Sequence, residues 1–220
     1  AATGTDNIDL KACAERGVAV IEDDIYGDLR YQGEALPTLK QLDDTGDVVQ
    51  IKSFSKIAFP GLRVGWAVAP RVLIQRLAEE KQWTDLHSDQ LAQAVLLRFA
   101  ESGRLEAHRK RMLSAGAERL RAVLAACERH LPEGSHWTRP QGGMNLWVRL
   151  PEPLDASDLL TRAVREDVAY LPGRYFAVSR HEPGSLRLSF AGLPPEQIES
   201  GLSILGKVFR SEVERARAIM

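Results

Sequence analysis

With 220 residues and 44% hydrophobic positions, the chain has room for one large or two modest domains and can bury a core. Its 29 lysines and arginines nearly balance 30 aspartates and glutamates for a net charge of -1, which argues against a nonspecific nucleic-acid or membrane binder. No apolar run approaches the roughly 20 residues of a bilayer span, and no basic-then-apolar leader is present, so a soluble protein with no membrane partner is expected.

The chain opens at Ala1 without methionine and enters a helical pattern almost at once, as a fragment beginning inside a domain would. Residues 7–16, with Leu10 and Ala14 on one face, predict a short helix that stops at Gly17. Val18-Ala19-Val20-Ile21 then runs into acidic residues and reads as a buried strand. Val48-Val49-Gln50-Ile51 and Val64-Gly65-Trp66-Ala67-Val68-Ala69 extend this pattern, which suits parallel strands covered on both faces and predicts an α/β sheet. Polar residues begin where the first two strands end, Asp23 after one and Ser53 to Lys56 after the other, which is where open α/β sheets bind ligands.

From Pro70 the periodicity turns helical over residues 72–83, 89–102 and 104–130, the last with a charged, solvated face. Pro140-Gln141-Gly142-Gly143 interrupts, and residues 144–150 alternate as a strand. Residues 158–166 read as a helix, 186–190 as a strand, and 194 onward as a closing helix with Ile198, Leu202, Leu205 and Phe209 on one face. The organisation expected is the end of a large, mostly parallel α/β domain over residues 1–103 and a smaller α+β domain over 104–220. Cys13 and Cys127 are far apart in helical patterns, so neither a disulfide nor a thiolate metal site is expected, and a reducing cytoplasm is the easier reading. His87, His108, His130, His136 and His181 show no paired ligand spacing, so no metal is expected.

The chemistry concentrates in two short stretches. Glu22-Asp23-Asp24-Ile25-Tyr26 precedes Ser53-Phe54-Ser55-Lys56, and Phe59-Pro60-Gly61-Leu62-Arg63 follows. An amine for a Schiff base, a carboxylate for a pyridinium, a phenol for a ring oxygen, and hydroxyls with a guanidinium for a phosphate together suit pyridoxal 5'-phosphate (PLP). Lys56 is the candidate amine, able afterwards to carry a proton as general acid and base. Asp23 is the candidate partner of the ring nitrogen; Asp24 would alternate to the other side of an extended segment unless the strand has already turned, so the Asp-Asp pair leaves an ambiguity. Tyr26 offers its hydroxyl to the ring oxygen, and Ser53, Ser55 and Arg63 offer charge-assisted bonds to the phosphate.

Asp-x-x-Tyr after a strand, Ser-Phe-Ser-Lys, and Pro-Gly-Leu-Arg-x-Gly resemble the fold-type I aminotransferases of class I and II. Within them the likeness is to the 2-aminoadipate-type enzymes and to the aminotransferase-like domain of MocR-type GntR transcriptional regulators. The resemblance runs from Thr3-Gly4 to the last helix and covers the carboxyl-terminal part of the family's domain. It implies that Lys56 forms the Schiff base, that Asp23 and Tyr26 meet the pyridine nitrogen and O3', and that Ser53 and Arg63 hold the phosphate. Arg187, in Ser185-Leu186-Arg187-Leu188-Ser189-Phe190, matches the arginine that binds the substrate α-carboxylate, for which a bidentate fork is suited. Thr3-Gly4-Thr5 resembles the tail of an Asn-Pro-Thr-Gly motif, with Ala1-Ala2 where Asn-Pro would stand. The family's phosphate-binding turn and ring-stacking aromatic are implied to come from an upstream segment.

Three functions follow from the resemblance. The first is an aminotransferase acting on an α-amino acid and a 2-oxo acid as a homodimer. The second is the PLP-binding effector domain of a regulator that contacts DNA only through an upstream domain. The third is a folded fragment that binds no cofactor.

Overall fold

The computed structural model describes residues 8–179 and 182–219. Ala1, Ala2, the Thr3-Gly4-Thr5 stretch, Asn7 and His181 lie outside the described residues. Two compact units divide the chain between Leu113 and Ser114, within the long helix whose first residue was the boundary expected from sequence.

In the first unit, α1 (Leu10–Glu15) is started by Asp9, whose carboxylate accepts the Ala12 N–H at 2.9 Å. β1 (Val20–Asp23) pairs in parallel with β2 (Val48–Ser53), Val20 opposite Val48 and Asp23 opposite Ile51. The one-turn helix α2 (Leu39–Leu42) between them carries a reciprocal capping box: Gln41 N donates to Thr38 Oγ1 and Thr38 N donates to Gln41 Oε1. Glu22 of β1 accepts the N–H groups of Leu39 and Lys40 at 2.7 and 3.1 Å, tying the start of α2 to the strand.

Asp43 anchors the turn into β2. Its side chain is 2% exposed and accepts from Lys40 Nζ at 2.9 Å, Gly46 N at 2.8 Å, Val48 N at 3.1 Å and Thr45 Oγ1 at 3.1 Å. Burial works against the charged carboxylate, but these donors outweigh it and hold the group far below the usual carboxylate range. A depressed carboxylate contributes stability that is complete above its unfolded pKa of about 3.9 and is lost as pH falls towards the folded value. Asp43→Ala is expected to lower stability by roughly 2–3 kcal/mol at neutral pH, since it orphans several donors. The urea midpoint followed from pH 7 to pH 2 checks this: wild type loses stability below about pH 4, and the variant lacks that component of the loss.

The apolar run of β3 (Gly65–Val68), expected among the parallel strands, instead lies antiparallel to β2, with Ser53 opposite Gly65 and Gln50 opposite Val68. Its connection holds only two 3-10 turns, Phe54–Lys56 and Pro60–Leu62. Parallel neighbours need a crossover of a dozen or more residues, usually a helix. A side chain at Gly65 would put its Cβ 2.7 Å from the Lys52 carbonyl oxygen, so this end of the hairpin requires glycine. The sheet order is β1-β2-β3. Double coverage was expected, yet β1 alternates, with Val20 and Glu22 half-buried and Ile21 and Asp23 exposed, as a strand packed on one side does. Helices α3 (Arg71–Asp85), α4 (Gln90–Glu101) and the start of α5 (Arg104–His130) complete the unit, α4 beginning at Asp89, which accepts from Leu91 N and Ala92 N.

In the second unit, β4 (His136–Trp137), β5 (Asn145–Arg149), β6 (Leu171–Pro172) and β7 (Ser185–Ser189) form an antiparallel sheet of order β4-β5-β7-β6. Leu146 lies opposite Leu188 and Val148 opposite Leu186, which makes one apolar face. These four are buried, with Leu120, Val123 and Cys127 of α5, Leu159 and Ala163 of α6 (Ala156–Arg165), and Leu202, Leu205 and Phe209 of α7 (Pro195–Ile219). Each fully buried leucine or valine contributes about 2 kcal/mol of transfer free energy. Burial pushes the Cys127 thiol up to about 12, which leaves it inert, and Cys13 is also free. No helix among the described residues is long and apolar enough to cross a membrane.

Candidate active site

The two ends of β1 and β2 bring the predicted residues of the first unit together. Asp23 closes β1 and Ser53 closes β2. Asp23 pairs with Ile51, two residues before Ser53, so by the period of two Asp23 and Ser53 share one sheet face. Lys56 ends the 3-10 turn that Ser53 caps, Ser53 Oγ accepting from Ser55 N at 3.0 Å. The Lys56 ammonium lies 5.7 Å from the centre of the Tyr26 ring, an amine and a phenol side by side. Among the described residues Asp23 carries no hydrogen bond or ion pair, and Lys56 no ion pair.

The hydroxyl pair and the guanidinium also converge. Ser53 Oγ donates to Ser55 Oγ at 2.9 Å and contacts the Val64 carbonyl at 3.3 Å. Arg63 Nη1 donates to Ser55 Oγ at 3.3 Å and to the Pro60 carbonyl at 3.1 Å. Arg63 holds the left-handed backbone at φ 54°, ψ 39°, which ends the Pro60–Leu62 turn. Two hydroxyls and a guanidinium within mutual reach are a donor set for an oxyanion.

Asp24 occupies the opposite face. It accepts from Gln50 Nε2 at 3.2 Å and meets Lys52 Nζ at 3.3 Å, with only 13% of its side chain exposed. The adjacent aspartates are thus separated by the strand's alternation: Asp24 is paired inside the protein, and Asp23 is free on the Ser53 face. The Lys52 pairings, which also include Asp28 at 3.3 Å, were not anticipated from sequence. The signal available was the alternation Gln50, Lys52 against Ile51, Ser53 in β2.

Arg187 belongs to the second unit. It stands on the non-core face of its sheet, opposite Trp147 of β5 and Leu171 of β6. Its guanidinium carbon lies 4.9 Å from the Phe176 ring centre, and Phe176 meets Trp147 edge to face at 5.6 Å. Arg187 Nε is buried without a hydrogen-bond partner, and no ion pair neutralises the group among the described residues. A buried donor left unmade costs about 1–3 kcal/mol, so Nε is a donor open to an acceptor. Trp147 and Phe176 were not singled out from sequence; the alternation of β5 against β7 places Trp147, and nothing in the local pattern marks Phe176.

Among the described residues no three histidines, cysteines or carboxylates gather as a metal site. An open apolar groove of about 390 Å³ lined by Phe59, Val95, Phe99 and Arg104 contains none of the candidate residues.

The family model for aminotransferases of class I and II matches residues 8–205, and the chain belongs to that family. It is 40% identical over 208 residues to a 2-aminoadipate transaminase of Thermus thermophilus, covering 91% of this chain and 51% of that protein. It is 31% identical over 206 residues to a probable rhizopine catabolism regulatory protein, MocR, of Rhizobium meliloti, covering 93% of this chain and 42% of that one. The fold superposes on a multiple substrate aminotransferase from Thermococcus profundus with a TM-score of 0.88 at 38% identity, over 94% of this chain and 51% of that one. It also superposes on an α-aminoadipate aminotransferase from Thermus thermophilus complexed with N-(5'-phosphopyridoxyl)-L-leucine, with a TM-score of 0.83 at 38% identity and coverage of 93% and 53%. The chain spans about half the length of the curated relatives it matches.

Proposed function

We propose that the protein bearing this chain is a PLP-dependent aminotransferase exchanging an amino group between an α-amino acid and a 2-oxo acid. The observation that carries the reading is the division of labour at the end of β1, where Asp24 is consumed by Lys52 and Gln50 while Asp23 stays free beside the Ser53–Lys56 turn. The donor set fits the cofactor, with Arg63, Ser55 and Ser53 for its phosphate, Asp23 for its ring nitrogen and Tyr26 for its ring oxygen. When bound, PLP supplies an aldehyde that condenses with amines and a ring that accepts electrons.

The residues then have distinct tasks. Asp23 holds a proton on the ring nitrogen by presenting an unpaired carboxylate. Tyr26 donates a hydrogen bond to the ring oxygen. Lys56 presents the amine that anchors the cofactor and moves a proton at the substrate Cα. Arg187 grips the substrate carboxylate with its fork, its guanidinium held against the Phe176 ring. Residues 1–103 would form the end of the cofactor domain and 104–220 the small domain, with a homodimer in the cytoplasm as the working assembly.

Incubating the full natural protein with PLP, reducing with borohydride and mapping the adduct tests the reading. An adduct on Lys56 is expected; none, with the protein folded, refutes it. For Arg187→Lys, KM for the amino acid is expected to rise roughly 10- to 100-fold with kcat much less affected, because an ammonium cannot make the paired bonds. Steady-state kinetics at saturating 2-oxo acid check this.

A second reading is favoured by the MocR likeness over 93% of the chain: the same site serving as the effector domain of a regulator. Reversible cofactor binding with DNA binding through an upstream domain, and no turnover, would select it.

A further inference from the structure

The pairings of Lys52 do more than fill the reverse face of the sheet. Its ammonium meets Asp24 Oδ2 and Asp28 Oδ2, each at 3.3 Å. Those carboxylates stand two residues before and two residues after Tyr26. Around them the segment is closed further: Asp24 N donates to the Ile51 carbonyl at 2.9 Å, Leu29 N to the Tyr26 carbonyl at 2.9 Å, and Gln50 Nε2 to Asp24. Asp28 also lies 3.8 Å from Arg109 Nη1. Gly27 is part of the same device, because a Cβ there would fall 2.1 Å from Asp24 Oδ1. A side chain at that point would push the Asp24 carboxylate from its present place.

Resting on the aminotransferase reading, we infer that Lys52 is a positioning residue: by bridging Asp24 and Asp28 it fixes the loop that carries Tyr26 and so sets the Tyr26 phenol beside Lys56. The lysine has the reach to span both carboxylates and is itself only 22% exposed, so the bridge is partly shielded from solvent. Burial alone would disfavour its charge, but Asp28 and Asp24 overcome that and hold the ammonium more firmly protonated than usual. The clamp therefore stays closed across the neutral range. Its grip also accounts for the free Asp23, since a backbone held with Asp24 inward presents its neighbour on the other face.

The test is an absorbance titration of the full natural protein loaded with PLP, comparing wild type with Lys52→Met, Lys52→Arg and Tyr26→Phe. A phenol that donates to the ring oxygen favours its charged form, so losing that bond raises the pH at which the bound cofactor changes colour. Tyr26→Phe and Lys52→Met are each expected to raise that pH by about one unit, the double variant no further than either, and Lys52→Arg to restore it in part. An unmoved titration in Lys52→Met with only the denaturation midpoint lowered, or a shift that adds to that of Tyr26→Phe, overturns the inference. Should Lys52→Met fail to fold, Asp28→Asn opens one arm of the clamp and carries the same comparison. Absence of a borohydride adduct on Lys56 in wild type defeats the aminotransferase reading itself, and this inference with it; an adduct present beside an unmoved titration defeats this inference alone.

Discussion

Lys56→Ala is expected to slow amino transfer by about a thousandfold or more, the scale on which positioned proton transfer contributes. The same substitution removes the site of borohydride labelling, so chemistry and attachment should vanish together. The basis is geometric. Lys56 stands at the end of a turn that Ser53 closes by accepting the Ser55 N–H at 3.0 Å, and its ammonium lies 5.7 Å from the centre of the Tyr26 ring. No carboxylate pairs with it among the described residues, so the amine is not committed to a structural ion pair. Single-turnover kinetics of the half-reaction with excess amino acid separate this from weakened substrate binding. A variant retaining activity within tenfold of wild type would show that another group moves the proton.

The adjacent aspartates give the second large effect, and it is a contrast. Asp23→Asn is expected to lower kcat/KM roughly 100- to 1,000-fold, since a carboxylate facing a ring nitrogen shifts that nitrogen's pKa by about 2–3 units and each unit is worth about 1.4 kcal/mol. Asp24→Asn is expected to cost less than about tenfold in rate and to act mainly on stability, because it weakens the pairings with Lys52 and Gln50. Kinetics and urea midpoints measured on both variants check the order. The reverse order would transfer the ring-nitrogen role to Asp24.

Much of this site was legible because it is local in sequence. Asp23, Tyr26, Ser53, Ser55, Lys56 and Arg63 lie at the ends of two strands whose apolar runs are plain, and alternation alone put Asp23 and Asp24 on different faces. What alternation could not supply was which aspartate is engaged in pairing; that came from Lys52 and Gln50, partners that only the pairing of β1 with β2 brings near Asp24. The direction of β3 was misread for a related reason: an apolar run reports burial, not direction. The short connection through Phe59-Pro60-Gly61 was the better guide to an antiparallel return. The small strands β4 and β6, of two residues each, fall below any periodicity. Around Arg187 the sequence showed a charge on a strand but not its lack of a partner, since an orphaned Nε becomes visible only once neighbouring side chains are placed.

The backbone of Arg63, with φ at 54°, puts a bulky side chain where glycine or asparagine rests more easily. Such a residue costs the fold on the order of 1 kcal/mol or more. A selection that rewards thermal resistance alone would therefore favour exchanging it for glycine and would discard the guanidinium that reaches Ser55. With the phosphate role proposed for Arg63, fitness for heat and fitness for chemistry would pull this position in opposite directions, so stabilisation of the protein should leave it untouched.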